Sequence, residues 1–177
     1  LEARFGLKQL STGDLLRAAV AKGTDAGKEA KAVMERGDLV SDEIVINILS
    51  DRLAEPDCAE GVIFDGFPRT QAQAEALDVL LADMGQSLNA VLELQVDDAI
   101  LVDRILGRAE EARAAGKPVR ADDTAETLAQ RLSAYHADTA PLISFYEHKD
   151  VLQGVDAMQP IDQVQANLAA SVEHALA

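Results

Sequence analysis

Gly61-Val62-Ile63-Phe64-Asp65-Gly66-Phe67-Pro68-Arg69-Thr70 is the stretch that decides the fold. The apolar run from Gly61 to Phe64 breaks into an acid, a glycine and a proline. Thr70 with Gln73 then forms a capping box ahead of a helix over Ala74 to Leu81. Strand, turn and helix in that order build a parallel α/β sheet. Three more runs fit the pattern: Lys8 to Leu10, Ala90 to Val96 and Val151 to Val155. All four strands are short and apolar enough to be expected buried on both faces. Between them, Ile44 and Ile48, and Val45, Leu49 and Leu53, recur at helical spacing behind Ser41, Asp42 and Glu43, which suit a helix N-terminus. Asp123 with Glu126 predicts another start ahead of Leu128, Leu132 and Tyr135, and a last helix is expected from Asp162 to Leu176.

With 177 residues, 48% of them hydrophobic and 27% charged, the chain can bury one good core but is too short for two ordinary domains. Its apolar stretches, such as Ile44 to Leu49, fall well short of the roughly 20 residues of a membrane-spanning helix, so no membrane partner is expected. The chain opens at Leu1 without the pattern of a cleaved leader, and its start is expected to be cut rather than processed. The single cysteine, Cys58, rules out an internal disulfide framework or a multi-cysteine zinc site; an inert loop thiol in a reducing cytoplasm is expected. A net charge of −15 repels polyanions and excludes non-specific nucleic-acid binding. Any anion bound here must meet a local cationic site.

The ligand crevice of an open α/β sheet lies at the carboxyl ends of its strands. Arg17 and Arg69 each follow a strand end there, Arg104 and Arg108 lie on the helix after the third strand, and Arg120 and Arg131 flank Asp122-Asp123. Arg104 and Arg108, four apart, project from one helix face and suit a polyphosphate, although an isolated pair could be neutralised by neighbours such as Asp103. Six arginines at crevice positions of an acidic chain predict a focused cationic pocket. The guanidinium fork binds phosphate oxygens bidentately. Asp65 ends its strand as either a turn aspartate or a carboxylate able to hold a hydrated magnesium ion beside phosphates. Gly66 and Pro68 shape the turn that aims Arg69. Gln73 either caps its helix or reads a base edge with its paired donor and acceptor. None of His136, His148 and His174 has a neighbour that suggests catalysis.

The segments Leu10 to Arg17, Gly37 to Glu43, Phe64 to Thr70, Asp103 to Arg108, Arg120 to Asp123 and Arg131 to Tyr135 resemble the adenylate kinase family, in the right order over nearly the whole chain. The Asp-Gly-Phe-Pro-Arg and Ser-Thr-Gly-Asp segments make the resemblance specific. It implies an α/β, P-loop-kinase-like parallel sheet flanked by helices, with a core (1–10, 41–108, 132–177), a small helical NMP-binding domain (11–40) and a short lid (109–131). The implied activity is reversible phosphoryl transfer from ATP to AMP giving two ADP, by a cytoplasmic monomer using magnesium with ATP. Its implied AMP site is Thr12, Arg17, Leu39, Val40, Gly66, Arg69, Gln73, Arg120 and Arg131. The ATP side falls to Arg104, Arg108 and Ala157, the catalytic set to Arg69, Arg104, Arg108, Arg120, Arg131 and Asp65, and the magnesium shell to Asp65 through water.

The chain departs from the family pattern in places. Ala109 to Val119 resembles a reduced lid without cysteines, which excludes a zinc-stapled one. Ala157 stands where the family often has glycine near the adenine ring. No G-x-x-x-x-G-K appears, and since the family's first strand is central, about 20 upstream residues are expected to be missing, leaving strand edges unpaired. Two other readings follow: a UMP/CMP-type kinase, against which Thr12 argues, and a nucleotide-binding fragment without catalysis.

Overall fold

The computed structural model describes residues 1–116 and 124–176. In chain order the elements are α1 (Glu2–Phe5), β1 (Lys8–Ser11), α2 (Thr12–Lys22), α3 (Asp25–Arg36), α4 (Asp42–Leu53), a 3-10 turn (Pro56–Cys58), β2 (Val62–Asp65), α5 (Gln71–Asp83) and β3 (Val91–Gln95). There follow α6 (Asp98–Ala114), α7 (Ala125–Ala134), a π-helical turn (Tyr135–Thr139), α8 (Leu142–Glu147), β4 (Leu152–Asp156) and α9 (Ile161–Leu176). No helix among the described residues is long and apolar enough to cross a membrane.

All four expected strands form, and both pairings are parallel. β1 lies beside β2 with Lys8 opposite Val62 and Ser11 opposite Asp65; β3 lies beside β4 with Val91 opposite Leu152 and Gln95 opposite Asp156. Among the described residues these pairs are two separate sheets. The strands are not buried on both faces as expected. In β1 only Leu10 is buried, because polar Lys8, Gln9 and Ser11 surround it, and in β3 Leu94 is 51% exposed.

Helix α4 buries Val45, Leu49 and Leu53, and α5 buries Gln73, Ala74, Leu77 and Leu81, each set along one stripe. Fully enclosed Leu49 and Leu77 contribute about 1.5–3 kcal/mol each by leaving water. The Thr70 hydroxyl caps α5 by accepting from the Gln73 amide at 3.1 Å. Helix α7 is capped one residue later than expected: Thr124 accepts from the Thr127 amide at 3.1 Å, while Asp123 lies outside the described residues. Helix α6 continues through Ala114, so the first part of the expected lid extends that helix. Helices α2 and α3 pack so closely at Gly27 that an added Cβ would lie 2.2 Å from the Ala19 carbonyl oxygen.

Candidate functional site

Strands β1 and β2 release their loops at the same level, because Ser11 and Asp65 are register partners. The Ser11 hydroxyl caps α2 by accepting from the Asp14 amide at 3.3 Å. This seats Thr12 in the first turn, buried, where its hydroxyl donates to the Gly66 carbonyl at 3.1 Å. Gly66 has φ +68°, a region that favours glycine, and an added Cβ would stand 3.1 Å from Arg69 Nη2. The Phe67-Pro68 peptide that follows is cis. Arg69 then folds back, its Nε donating to the Gly66 carbonyl at 2.8 Å. Its backbone N–H donates to Gln73 Oε1 at 2.8 Å, and its carbonyl accepts from the Thr139 hydroxyl at 2.8 Å. Arg69 is thus held at three points.

Thr12, Arg17, Leu39, Val40, Gly66, Arg69, Gln73 and Arg131 line a single cleft, together with Gly13, Gly37 and Phe67, which the sequence did not single out for it. Burial, then the neighbouring charge of Arg131, lowers the proton affinity of Arg69, and Arg17 adds to the effect; Asp65 opposes it. A guanidinium keeps its proton under any ordinary condition, so the shift reflects first the burial of this cation and then the nearby charges of Arg131 and Arg17, both of which a bound anion would offset. Arg17 also pairs with Asp14 at 2.6 Å. Arg131 reaches the cleft because α7 packs on the end of α3. At Gly37 an added Cβ would meet the Thr127 carbonyl oxygen at 2.8 Å, and Gln130 Nε2 donates to Asp38 Oδ1 at 3.1 Å.

Arg104 and Arg108 do not line this cleft. Arg104 lies instead against the turn after β4, donating to the Ala157 carbonyl at 3.1 Å, while the Ala157 amide donates to Gln95 O at 2.9 Å. Arg120, Asp122 and Asp123 lie outside the described residues. Asp65 is exposed at its strand end and accepts from Gln9 Nε2 at 2.7 Å. Among the described residues no group of three or more His, Cys, Asp or Glu could itself hold a metal.

Some contacts escaped the sequence reading. Gln73 does not close its capping box on Thr70; its oxygen serves Arg69 and its nitrogen donates to Asp42 Oδ1 at 2.7 Å. Exposed His136 lies 2.8 Å from Asp98 at the start of α6, a surface pair that does not line the cleft. Cys58 is buried in the 3-10 turn rather than lying in an open loop. Its sulfur accepts from Arg52 Nη1 at 3.1 Å, and burial pushes its pKa up.

Comparison with known proteins leads to the same place. The family model described as adenylate kinase matches residues 1–151. An adenylate kinase of Methylobacterium radiotolerans is 61% identical over 170 residues, spanning 96% of this chain and 85% of that protein. One from Azorhizobium caulinodans is 57% identical over 175 residues, spanning 99% and 90%, and one from a Chelativorans species is 54% identical over 164 residues, spanning 93% and 84%. With its strand-end loops joined through Thr12 and Gly66, and with that extent of identity, the chain belongs to the adenylate kinase family.

Proposed function

We propose that the protein catalyses reversible phosphoryl transfer from ATP to AMP, giving two ADP, as its relatives' name implies. The observation that carries the reading is the convergence of Arg17, Arg69 and Arg131 on one cleft in a chain of net charge −15. We assign AMP to this cleft, with its phosphate among the three guanidinium groups and its base toward Leu39, Val40 and Gln73. Arg104 and Arg108 face the ATP side, with the Ala157 turn beside the adenine.

The attacking oxygen of AMP is already ionised at neutral pH, so the chemistry asks for positioning and charge neutralisation rather than a strong base. Arg69 supplies both, held in place while its positive neighbours raise the local potential for phosphate. Magnesium, bound with ATP, would offset the negative charge on the phosphate oxygens as the P–O bond to the leaving ADP breaks. Asp65 fits such an ion, since magnesium keeps most of its water and takes one or two carboxylates besides phosphate oxygens. Arg120 belongs to the same proposal, as does the division into core, NMP-binding domain and lid. The family resemblance extends it to a cytoplasmic monomer.

The test is ADP formation by the full-length protein, followed with ATP and each of AMP, CMP, UMP and GMP. Turnover with AMP well above the other three is expected. No ADP from ATP and AMP would overturn the reading.

A further inference from the structure

A glutamine amide can present either end to a ligand, because its oxygen and nitrogen exchange places on a half-turn. Gln73 lacks that freedom. Its oxygen faces the backbone N–H of Arg69, which can only donate, and its nitrogen faces a carboxylate oxygen of Asp42 at 2.7 Å, which accepts. The Thr70 hydroxyl, which caps the same helix, also leans on Asp42 Oδ1 at 3.4 Å. Gln73 is only 2% exposed yet lines the cleft.

We infer that Asp42 is a positioning residue for phosphoryl transfer: it locks the Gln73 amide, which in turn holds the Arg69 backbone and offers the nucleotide an N–H rather than a carbonyl. The inference rests on the proposed function. An amide nitrogen carries two N–H groups and Asp42 takes one, so the other is what Gln73 can give a ligand. The base that meets it must supply an acceptor, as the ring nitrogens of adenine do. Without Asp42 the amide is held at its oxygen end alone, so its side-chain torsion loosens and the bond that steadies Arg69 weakens with it. Asp42 thus couples recognition of the base to placement of the arginine at the reacting phosphate. Its place in the first turn of α4 fixes it against the start of α5.

A double-mutant cycle in the full-length protein tests this. Asp42→Ala and Gln73→Ala should each lower kcat/KM for AMP about tenfold, the cost of losing a charge-assisted hydrogen bond, while KM for ATP stays within about twofold. The double variant should be no worse than Gln73→Ala alone, because the two act as one unit. Asp42→Asn, which keeps an acceptor oxygen, should stay within about threefold of the parent. Glu43→Ala, which removes the other first-turn acid of α4, should leave the AMP parameters unchanged. If Asp42→Ala folds poorly, Asp42→Ser replaces it, a polar first-turn residue too short to reach Gln73. Additive losses, an equal loss in Glu43→Ala, or a parallel rise in KM for ATP would overturn the inference while leaving the functional reading intact. A parent protein that makes no ADP from ATP and AMP would overturn both.

Discussion

The Thr139 hydroxyl, from the π-helical turn, donates a 2.8 Å hydrogen bond to the Arg69 carbonyl, joining residues 70 positions apart. With Gln73 on the amide side of the same residue, Arg69 is gripped from two directions by two different elements. Thr139→Val keeps the shape and removes the donor. It should cost about 1 kcal/mol in chemical denaturation and lower kcat for ADP formation while the AMP affinity moves little. An unchanged kcat would show that the Gln73 contact is sufficient by itself.

Arg69→Ala should lower turnover by about a thousandfold, in line with the loss of a group that meets transition-state charge. Its thermal unfolding should match the parent, since the variant also relieves crowding by Arg131 and Arg17. Arg69→Lys should recover little, because an ammonium is a point charge without the planar fork. Coupled assay and calorimetric melting measure the two effects separately.

Gly27→Ala sets two effects against each other. Alanine is the better helix former by about 1 kcal/mol. Against this, its Cβ would lie 2.2 Å from the Ala19 carbonyl oxygen and 2.3 Å from the carbonyl carbon, both backbone atoms, and prising α2 from α3 costs about 1–3 kcal/mol or more. The clash wins. A lower urea midpoint is expected, and a raised one would contradict the packing.

Tyr146 is 2% exposed, and its hydroxyl has no hydrogen-bond partner among the described residues. Burial, with Asp78 adding to it, raises the pKa of this phenol above the usual tyrosine value. Tyr146→Phe should therefore match or exceed the parent in stability. A loss greater than about 1 kcal/mol would mean that the hydroxyl is hydrogen-bonded after all.

Arg52 grips both carboxylate oxygens of Asp57, at 2.7 and 2.6 Å. This hydrogen bonding holds the Asp57 carboxyl below its ordinary value of 3.8, against the opposing effect of burial. A depressed carboxyl pKa stabilises the folded state above the unfolded value, and the effect is lost as pH falls through the folded one. The stability difference between the parent and Asp57→Asn should be full near pH ~6 and close progressively below pH ~4. Denaturation midpoints measured across that range check it, and a difference constant down to pH ~2 would contradict it.

Strands β2, β3 and β4 were legible as short, largely apolar runs ended by polar or glycine-rich sequence, whereas β1 offers only Leu10 as an apolar residue; all four nonetheless fall within a residue or two of the expected positions. Helices α4, α5 and α9 were legible from apolar spacing and, for α4 and α5, from first-turn acids or a cap. The placement of Arg17 and Arg69 followed from the rule that crevices open at strand ends. The orientation of Gln73 was not legible, since Asp42, 31 residues away, reaches its amide nitrogen only when α4 meets α5. Thr139 escaped for the same reason. The late start of α7 turned on a choice between two adjacent capping residues, Asp123 and Thr124, which local pattern ranks about equally.

The alignment of Ser11 with Asp65 acts as a shared ruler. Each residue along a parallel strand advances about 3.3 Å, so inserting or deleting one residue inside β1 or β2 would carry the Thr12 hydroxyl a full step past the Gly66 carbonyl and flip the neighbouring side chains to the opposite face. A change of length within the short spans that carry the chain into the cleft would therefore be felt at the cleft itself.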